Sequence, residues 1–341
     1  MFSKRLWVGA GGCRALHRSL ARAVRTPAPG WRSQRFAVCS LHFAPTADRT
    51  PRRRYPSPAG CKRRPAIRRP KDRPMPNAPI RDIMTYYEEA GSGDPLILVM
   101  GLGGDLQAWA LQVPALSKHF RVITFDNRGA GRTSAPDKPY SIVGMADDLA
   151  ALMDRLEIPE AHILGWSMGG YIAQEFAIKY PARVEKLILL ATAANIDGYG
   201  RAVLTSWINA RRSNLSREQW QRFMAPYVYS PGLLDDRERF ERAILNGVNN
   251  PYAQQDHGFL RQADAILAFD ASDRLGNVKA PTLVVGAKDD VLVPVRNAEK
   301  LAKLIPGATL KVLDGGHAGA LEYPNEYNAA FLEFLGVAVP A

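Results

Sequence analysis

Residues 75–341 contain no cysteine. The three in the chain, Cys13, Cys39 and Cys61, all precede residue 75. A disulfide framework, a thiolate nucleophile and a zinc–thiolate site are thereby excluded from the larger part of the chain. No apolar run reaches the roughly 18 residues a membrane-spanning helix needs. Acidic residues are nearly missing from residues 1–74, which hold 2 Asp and Glu against 19 Lys and Arg; residues 75–341 hold 31 acidic and 26 basic residues. The net charge of +12 therefore belongs to one terminal segment. The body is mildly acidic, which argues against nucleic acid as its partner. It shows no internal repeat and no low-complexity stretch. It also lacks a G-x-x-x-x-G-K-[ST] phosphate loop.

The segment before residue 75 is rich in Arg and Pro and has no apolar periodicity, as in "TPRRRYPSPAGCKRRPAIRRPKDRP" at 50–74. Such a composition buries too little surface to offset its ordering entropy, so disorder is expected for 1–74. Three readings compete: an organellar transit peptide, a basic arm for nucleic acid or anionic lipid, and GC-rich upstream DNA read as protein. Met75 stands immediately before the first structured segment and favours the third. The matching compartment is the cytoplasm, or an organelle if the segment is a true transit peptide.

From residue 83 the chain alternates short β-branched runs with amphipathic stretches. Strands are expected at 83–88, 96–100, 121–126, 161–166, 186–191, 282–287 and 309–313. "EEAGSGDP" at 88–95 reads as a hairpin turn between the first two. In 143–156, Met145, Leu149, Leu152, Met153 and Leu156 fall on one helical face. Continuous apolar strands such as "LILVM" and "KLILLA" suit parallel strands covered on both sides. The expected fold class is α/β: a mostly parallel central sheet with helices on both faces, spanning 75–341. Residues 195–278 break the alternation. They hold helical segments with Trp207, Trp220, Phe223, Tyr227 and Phe259, and read as a helical lid inserted between two strands.

"HILGWSMGGYIA" at 162–173 places Ser167 in G-x-S-x-G between an apolar strand and a helix expected at 168–180. A serine on such a sharp turn projects its hydroxyl above the sheet, with Gly165 and Gly169 supplying space. The helix start directs backbone N–H groups at the place where negative charge develops. A capping serine would show the same pentapeptide; the flanking strand and helix favour the nucleophile elbow.

With this motif, "MGLGG" at 100–104, "DNRGAGRTSAP" at 126–136, "GAKDDVLVP" at 286–294 and "GGHAGALEYP" at 315–324, the chain resembles the α/β-hydrolase superfamily over residues 80–340. The segment from "MGLGGDLQAW" to "SMGG" looks closest to carboxylesterases and 3-oxoadipate enol-lactonase-like proteins. The resemblance implies a Ser…Asp…His order. Of six histidines, His17 and His42 lie in the tail, His119 in a polar connection and His162 at the start of a strand; His317, in a glycine-flanked loop after a strand, is the candidate base. His257, in the insertion, is a candidate substrate contact. The family spacing selects Asp290, nine residues after Pro281 and four before Pro294, as the acid, with Asp289 and Asp197 as alternatives. Ala287 stands where relatives usually have glycine. Relatives often carry His-Gly-x after the second strand; here Met100 replaces the histidine, and x is Leu102, whose backbone N–H would be one oxyanion donor and that of Met168 the other.

Asp126 and Arg128 are read as loop-holding residues, and Asp147 and Asp148 as solvated or capping. A serine triad implies acyl transfer on a small to medium carboxylic ester or lactone, without cofactor or metal. Carbon–carbon bond hydrolysis, cofactor-free perhydrolysis and a catalytically dead ligand-binding fold are the alternatives. Arg201, Arg211 and Arg212 would be the cations available to an anionic substrate, and Trp166 either packs beside the nucleophile or lines the acyl pocket.

Overall fold

A computed structural model of the chain describes residues 76–338. The expectations for residues 1–74 lie outside the described residues. Eight strands form one sheet: β1 (Asn77–Ile80), β2 (Ile83–Ala90), β3 (Pro95–Val99), β4 (Arg121–Phe125), β5 (Ala161–Trp166), β6 (Val184–Leu190), β7 (Thr282–Ala287) and β8 (Thr309–Leu313). Their order across the sheet is β1-β2-β4-β3-β5-β6-β7-β8. All pairings from β4 to β8 are parallel; β1 with β2 and β2 with β4 are antiparallel.

Two features differ from the sequence reading. "EEAGSGDP" does not close a hairpin. β2 pairs with β4 instead of β3, so the turn carries the chain past one strand position. The hairpin at this edge joins β1 to β2 through Arg81-Asp82. The short β1, with half of its residues exposed, gave no run long enough to be read as a strand.

Eleven helices are present among the described residues: α1 (Val113–Leu116), α2 (Ile142–Arg155), α3 (Met168–Lys179), α4 (Gly198–Arg212), α5 (Arg217–Val228), α6 (Pro231–Asp235), α7 (Arg237–Asn249), α8 (Asp256–Leu267), α9 (Val295–Leu304), α10 (Gly319–Glu322) and α11 (Pro324–Leu335). Alternate strand residues feed two cores. Ile97, Ile123, Ile163 and Leu189 pack with Met145, Leu149 and Phe176 of α2 and α3. Leu96, Leu98, Leu164 and Val285 pack with Trp109, Leu116, Tyr327 and Phe331 on the opposite face. A strand buried on both sides must be apolar at every position, which is why these strands read as continuous runs. Each fully buried Leu or Ile contributes about 1.5–3 kcal/mol.

Helix starts follow local chemistry. The side chains of Ser141, Asp197, Ser230 and Asp236 each accept a backbone N–H at the heads of α2, α4, α6 and α7, and Ser216 with Gln219 forms a capping box on α5. Helices α4 to α8 all lie between β6 and β7, where the sequence lacks strands. Trp207, Trp220 and Phe259 of this insertion pack on one another, Trp220 and Phe259 edge-to-face at 5.3 Å between ring centres. No described helix is long and apolar enough to cross a membrane.

Candidate active site

The carboxyl ends of the parallel strands lie along one edge. The chain leaves β3 towards β4 on one side, and β5 lies on the other, which makes the β3/β5 boundary a topological switch point where ligands of open α/β sheets bind. Ser167 follows β5 directly. Its backbone sits at φ 56° and ψ −120°, a conformation that costs a non-glycine residue about 1–3 kcal/mol. The fold holds it there. Ser167 N–H donates to Leu190 O at 2.9 Å, while Gly170 N–H at 2.8 Å and Thr192 Oγ1 at 2.9 Å donate to Ser167 O. A Cβ at Gly165 would strike the Gly169 carbonyl, and one at Gly169 the Val99 carbonyl, so strand, turn and helix approach more closely than any side chain permits.

His317 lies in the loop after β8 and is almost wholly buried. Its Nε2 is 2.9 Å from Ser167 Oγ and its Nδ1 is 2.8 Å from Asp290 Oδ2. Asp290, also buried, follows β7, and its Oδ1 accepts the N–H groups of Leu292 and Val293 at 2.9 and 2.7 Å. These bonds arrange the carboxylate as an acceptor. His317 Nδ1 therefore donates to it, and Nε2 is left to accept from the serine hydroxyl. The His317 loop is held at three points. Trp166 Nε1–H donates to His317 O at 3.1 Å, Gly316 N–H to Glu322 Oε1 at 3.1 Å and Ala318 N–H to Val228 O at 2.8 Å. Glu322 also accepts the Ser230 hydroxyl and its N–H, tying the loop to the α5–α6 junction. Trp166 packs against Trp109 at 5.4 Å between ring centres and also lines the cavity.

The loop after β3 lies against the elbow. A Cβ on Gly101 would sit 2.9 Å from Ser167 Cβ and 3.5 Å from Met168 N. The residue before Leu102 thus packs directly against the start of α3. The support that a histidine at position 100 would give comes from other groups: Asn127 Nδ2 donates to Met100 O at 2.6 Å, Leu106 N–H to Asp126 Oδ1 at 2.8 Å, Gly103 N–H to Gln254 Oε1 at 3.1 Å and Asn250 Nδ2 to Asp105 Oδ2 at 2.7 Å. Gln254 and Asn250 lie about 150 residues away along the chain, and no motif marked them.

Ser167, Met168, Leu102 and His317 open on a cavity of about 1720 Å³, walled on the insertion side by Leu204, Trp207, Met224 and Ile266. It exceeds the usual range of small-molecule sites.

The remaining sequence candidates are exposed or engaged with other groups, although Asp197 and Arg211 also line the cavity. His257 Nε2 is 2.8 Å from Ala135 O, and the residue is not among those lining the cavity. Asp289 is exposed; Asp197 caps α4 and pairs with Arg296 and Asn297. His119 is exposed, and His162 pairs with Glu185. Arg201 and Arg212 are exposed, whereas Arg211 lines the cavity with its guanidinium 4.4 Å from the Trp220 ring centre and 3.1 Å from Asp256. Burial pushes the Arg211 pKa down.

Asp126 and Arg128 do hold loops. Asp126 is fully buried, which pushes its carboxyl pKa up against the backbone N–H bonds of Arg132 and Leu106. Asp148 corrects the sequence reading. It is buried and grips Arg128 through two bonds of 2.5 and 2.7 Å, because α2 turns that face onto the "DNRG" loop instead of solvent.

The family model of the alpha/beta hydrolase fold matches residues 94–324. The chain is 33% identical over 273 residues to "Putative carbamate hydrolase RutD" of Azorhizobium caulinodans, covering 77% of this chain and 98% of that protein. It resembles the crystal structure of the enol-lactonase from Burkholderia xenovorans LB400 with a TM-score of 0.70 and 28% identity, over 76% of this chain and 99% of the other. A thermophilic esterase from Thermogutta terrifontis aligns with a TM-score of 0.67 and 29% identity, over 74% and 93% of the two chains.

Proposed function

The chain belongs to the α/β-hydrolase family, and from that membership we propose that it cleaves a small to medium carboxylic ester or lactone through an acyl-enzyme. The observation that carries the reading is the relay from Ser167 Oγ to His317 Nε2 at 2.9 Å and from His317 Nδ1 to Asp290 at 2.8 Å, opening on a cavity of mixed polar and apolar lining. Ser167 Oγ bonds to the substrate carbonyl carbon while His317 Nε2 takes its proton. The oxyanion accepts the N–H groups of Leu102 and Met168. His317 returns the proton to the departing alkoxide, the ester C–O bond breaks, and the acyl group stays on Ser167. A water that gives its proton to His317 then attacks the acyl-enzyme, and the acid leaves as Ser167 recovers its hydrogen. Asp290 fixes the imidazole tautomer and stabilises its charged form. Preorganised oxyanion donors contribute about 10²–10³ in rate each. In this reading α4 to α8 form the lid of the acyl and alcohol pockets.

The relatives' names support the substrate class: an enol-lactonase, an esterase and a carbamate hydrolase all name a carbonyl flanked by a heteroatom. Hydrolysis of p-nitrophenyl butyrate by wild type beside Ser167→Ala tests the proposal. The variant is expected to lose about four orders of magnitude or more. Equal hydrolysis by both would overturn it. A panel of acetate, butyrate and octanoate esters, a δ-lactone and an aryl carbamate assigns the class; a strong preference for the carbamate overturns the ester or lactone assignment.

A further inference from the structure

Gly103 N–H, one residue beyond Leu102, donates to Gln254 Oε1 at 3.1 Å. Gln254 belongs to the connection between α7 and α8, inside the helical insertion, and is 7% exposed. Its amide has one workable orientation. Nε2 donates to Gly129 O at 2.9 Å and to Gln262 Oε1 at 2.8 Å. Gln262 is buried too, and its own Nε2 donates to Arg128 O at 2.8 Å. Turning the Gln254 amide over would set donor against donor at Gly103 and acceptor against two acceptors at the other end. The carbonyl is therefore locked towards the loop after β3. Asn250, from the same connection, holds Asp105 two residues further along.

We infer that Gln254 is a positioning residue for the oxyanion hole, holding the Gly101–Asp105 loop so that the Leu102 N–H stays aimed beside Ser167. The inference rests on the ester-hydrolase reading above. It makes the insertion part of what fixes the catalytic geometry as well as a wall of the cavity. Gln254 acts through Gly103, so its loss displaces a donor without deleting one. Misplacement of this kind costs about 10- to 100-fold in rate.

The test compares wild type, Ser167→Ala, Gln254→Met and Gln262→Met on p-nitrophenyl butyrate. Two inhibitors are added: butylboronic acid, which forms a tetrahedral adduct with an oxygen in the hole, and p-nitrophenyl butyl ether, which has the ester's shape and no carbonyl. For Gln254→Met, kcat is expected to fall about 10- to 100-fold with KM within about twofold of wild type. Boronate affinity should fall by the same factor as kcat/KM, and ether affinity should hold. Gln262→Met removes one of the two acceptors that orient the Gln254 amide and leaves Gln254 itself in place; a smaller change of the same pattern is expected, and it carries the test if Gln254→Met does not fold. Wild-type kcat and boronate affinity in the folded variants would overturn the inference. So would equal weakening of ether and boronate, the signature of a loosened cavity. If Ser167→Ala hydrolyses the ester as well as wild type, the ester reading itself falls and this inference with it. If Ser167→Ala is inert and the Gln variants match wild type, this inference alone falls.

Discussion

Replacing Asp290 by Asn removes one charge and almost no volume, and the structure dictates what the amide does next. Asp290 Oδ1 accepts two backbone N–H groups, from Leu292 at 2.9 Å and Val293 at 2.7 Å, in a buried site. An Asn that turned its NH₂ towards them would leave both donors unpaired, at about 1–3 kcal/mol each. The other orientation keeps both bonds and points NH₂ at His317 Nδ1, which answers by shifting its proton to Nε2. The amide therefore settles with its oxygen on the backbone. His317 Nε2 then carries hydrogen towards Ser167 Oγ and no longer accepts from it. A triad histidine held in the wrong tautomer costs about 10⁴ in kcat, equivalent to about 5 kcal/mol of barrier. The assay is kcat on p-nitrophenyl butyrate, with Asp289→Asn as the control. Asp289 is exposed and its main chain alone is engaged, through N–H to Gly315 O, so that variant keeps most activity. More than about a tenth of wild-type kcat in Asp290→Asn, or a larger loss in Asp289→Asn, refutes the reasoning.

Three further outcomes are expected. Gly169→Ala would place a Cβ on the Val99 carbonyl and 2.9 Å from Met100 O, both rigid backbone, so it should destabilise by about 1–3 kcal/mol; an unchanged urea midpoint would refute the close approach. Asp148→Asn leaves buried Arg128 with Asp82 as its remaining carboxylate partner, and breaking such a pair costs about 3–5 kcal/mol, or about 6–15 °C in Tm for a domain of this size; a loss under about 1 kcal/mol would show the pair to be dispensable. Arg128 and then Lys138 hold the Asp82 carboxyl well below the usual carboxylate range, so Asp82 contributes stability that is complete above the unfolded carboxylate pKa of 3.8 and is lost as pH falls below it. Asp82→Asn should accordingly narrow the drop in Tm between pH 6 and pH 3, and an identical drop in both proteins would count against the linkage.

Residues adjacent in the chain were legible because their physics is local. Ser167 sits in a motif whose glycines, strand and helix all lie within a dozen residues, and the two-sided burial of β3, β5 and β6 shows directly as unbroken apolar runs. The glycine-rich turn after β2 misled because turn chemistry states that the chain reverses, without stating which strand it will lie beside. That choice was made by β4, which inserts between β2 and β3.

The sequence by itself determined the class of fold, the turn that strains Ser167, and the order in which Ser167, Asp290 and His317 occur. Only the tertiary structure decided that Ser167 and Asp290 each come within 2.9 Å of His317, on opposite nitrogens of its ring. It also decided that Asp148 is a buried partner of Arg128, that His257 faces Ala135 and not the cavity, and that Asn127, Asn250 and Gln254 hold the loop after Met100. Periodicity and turn chemistry record which face of an element is apolar and where it ends. A hydrogen bond between a backbone N–H and a side chain 151 residues away records only how whole elements stack, and that is settled when the sheet orders its strands and the insertion folds back over their carboxyl ends.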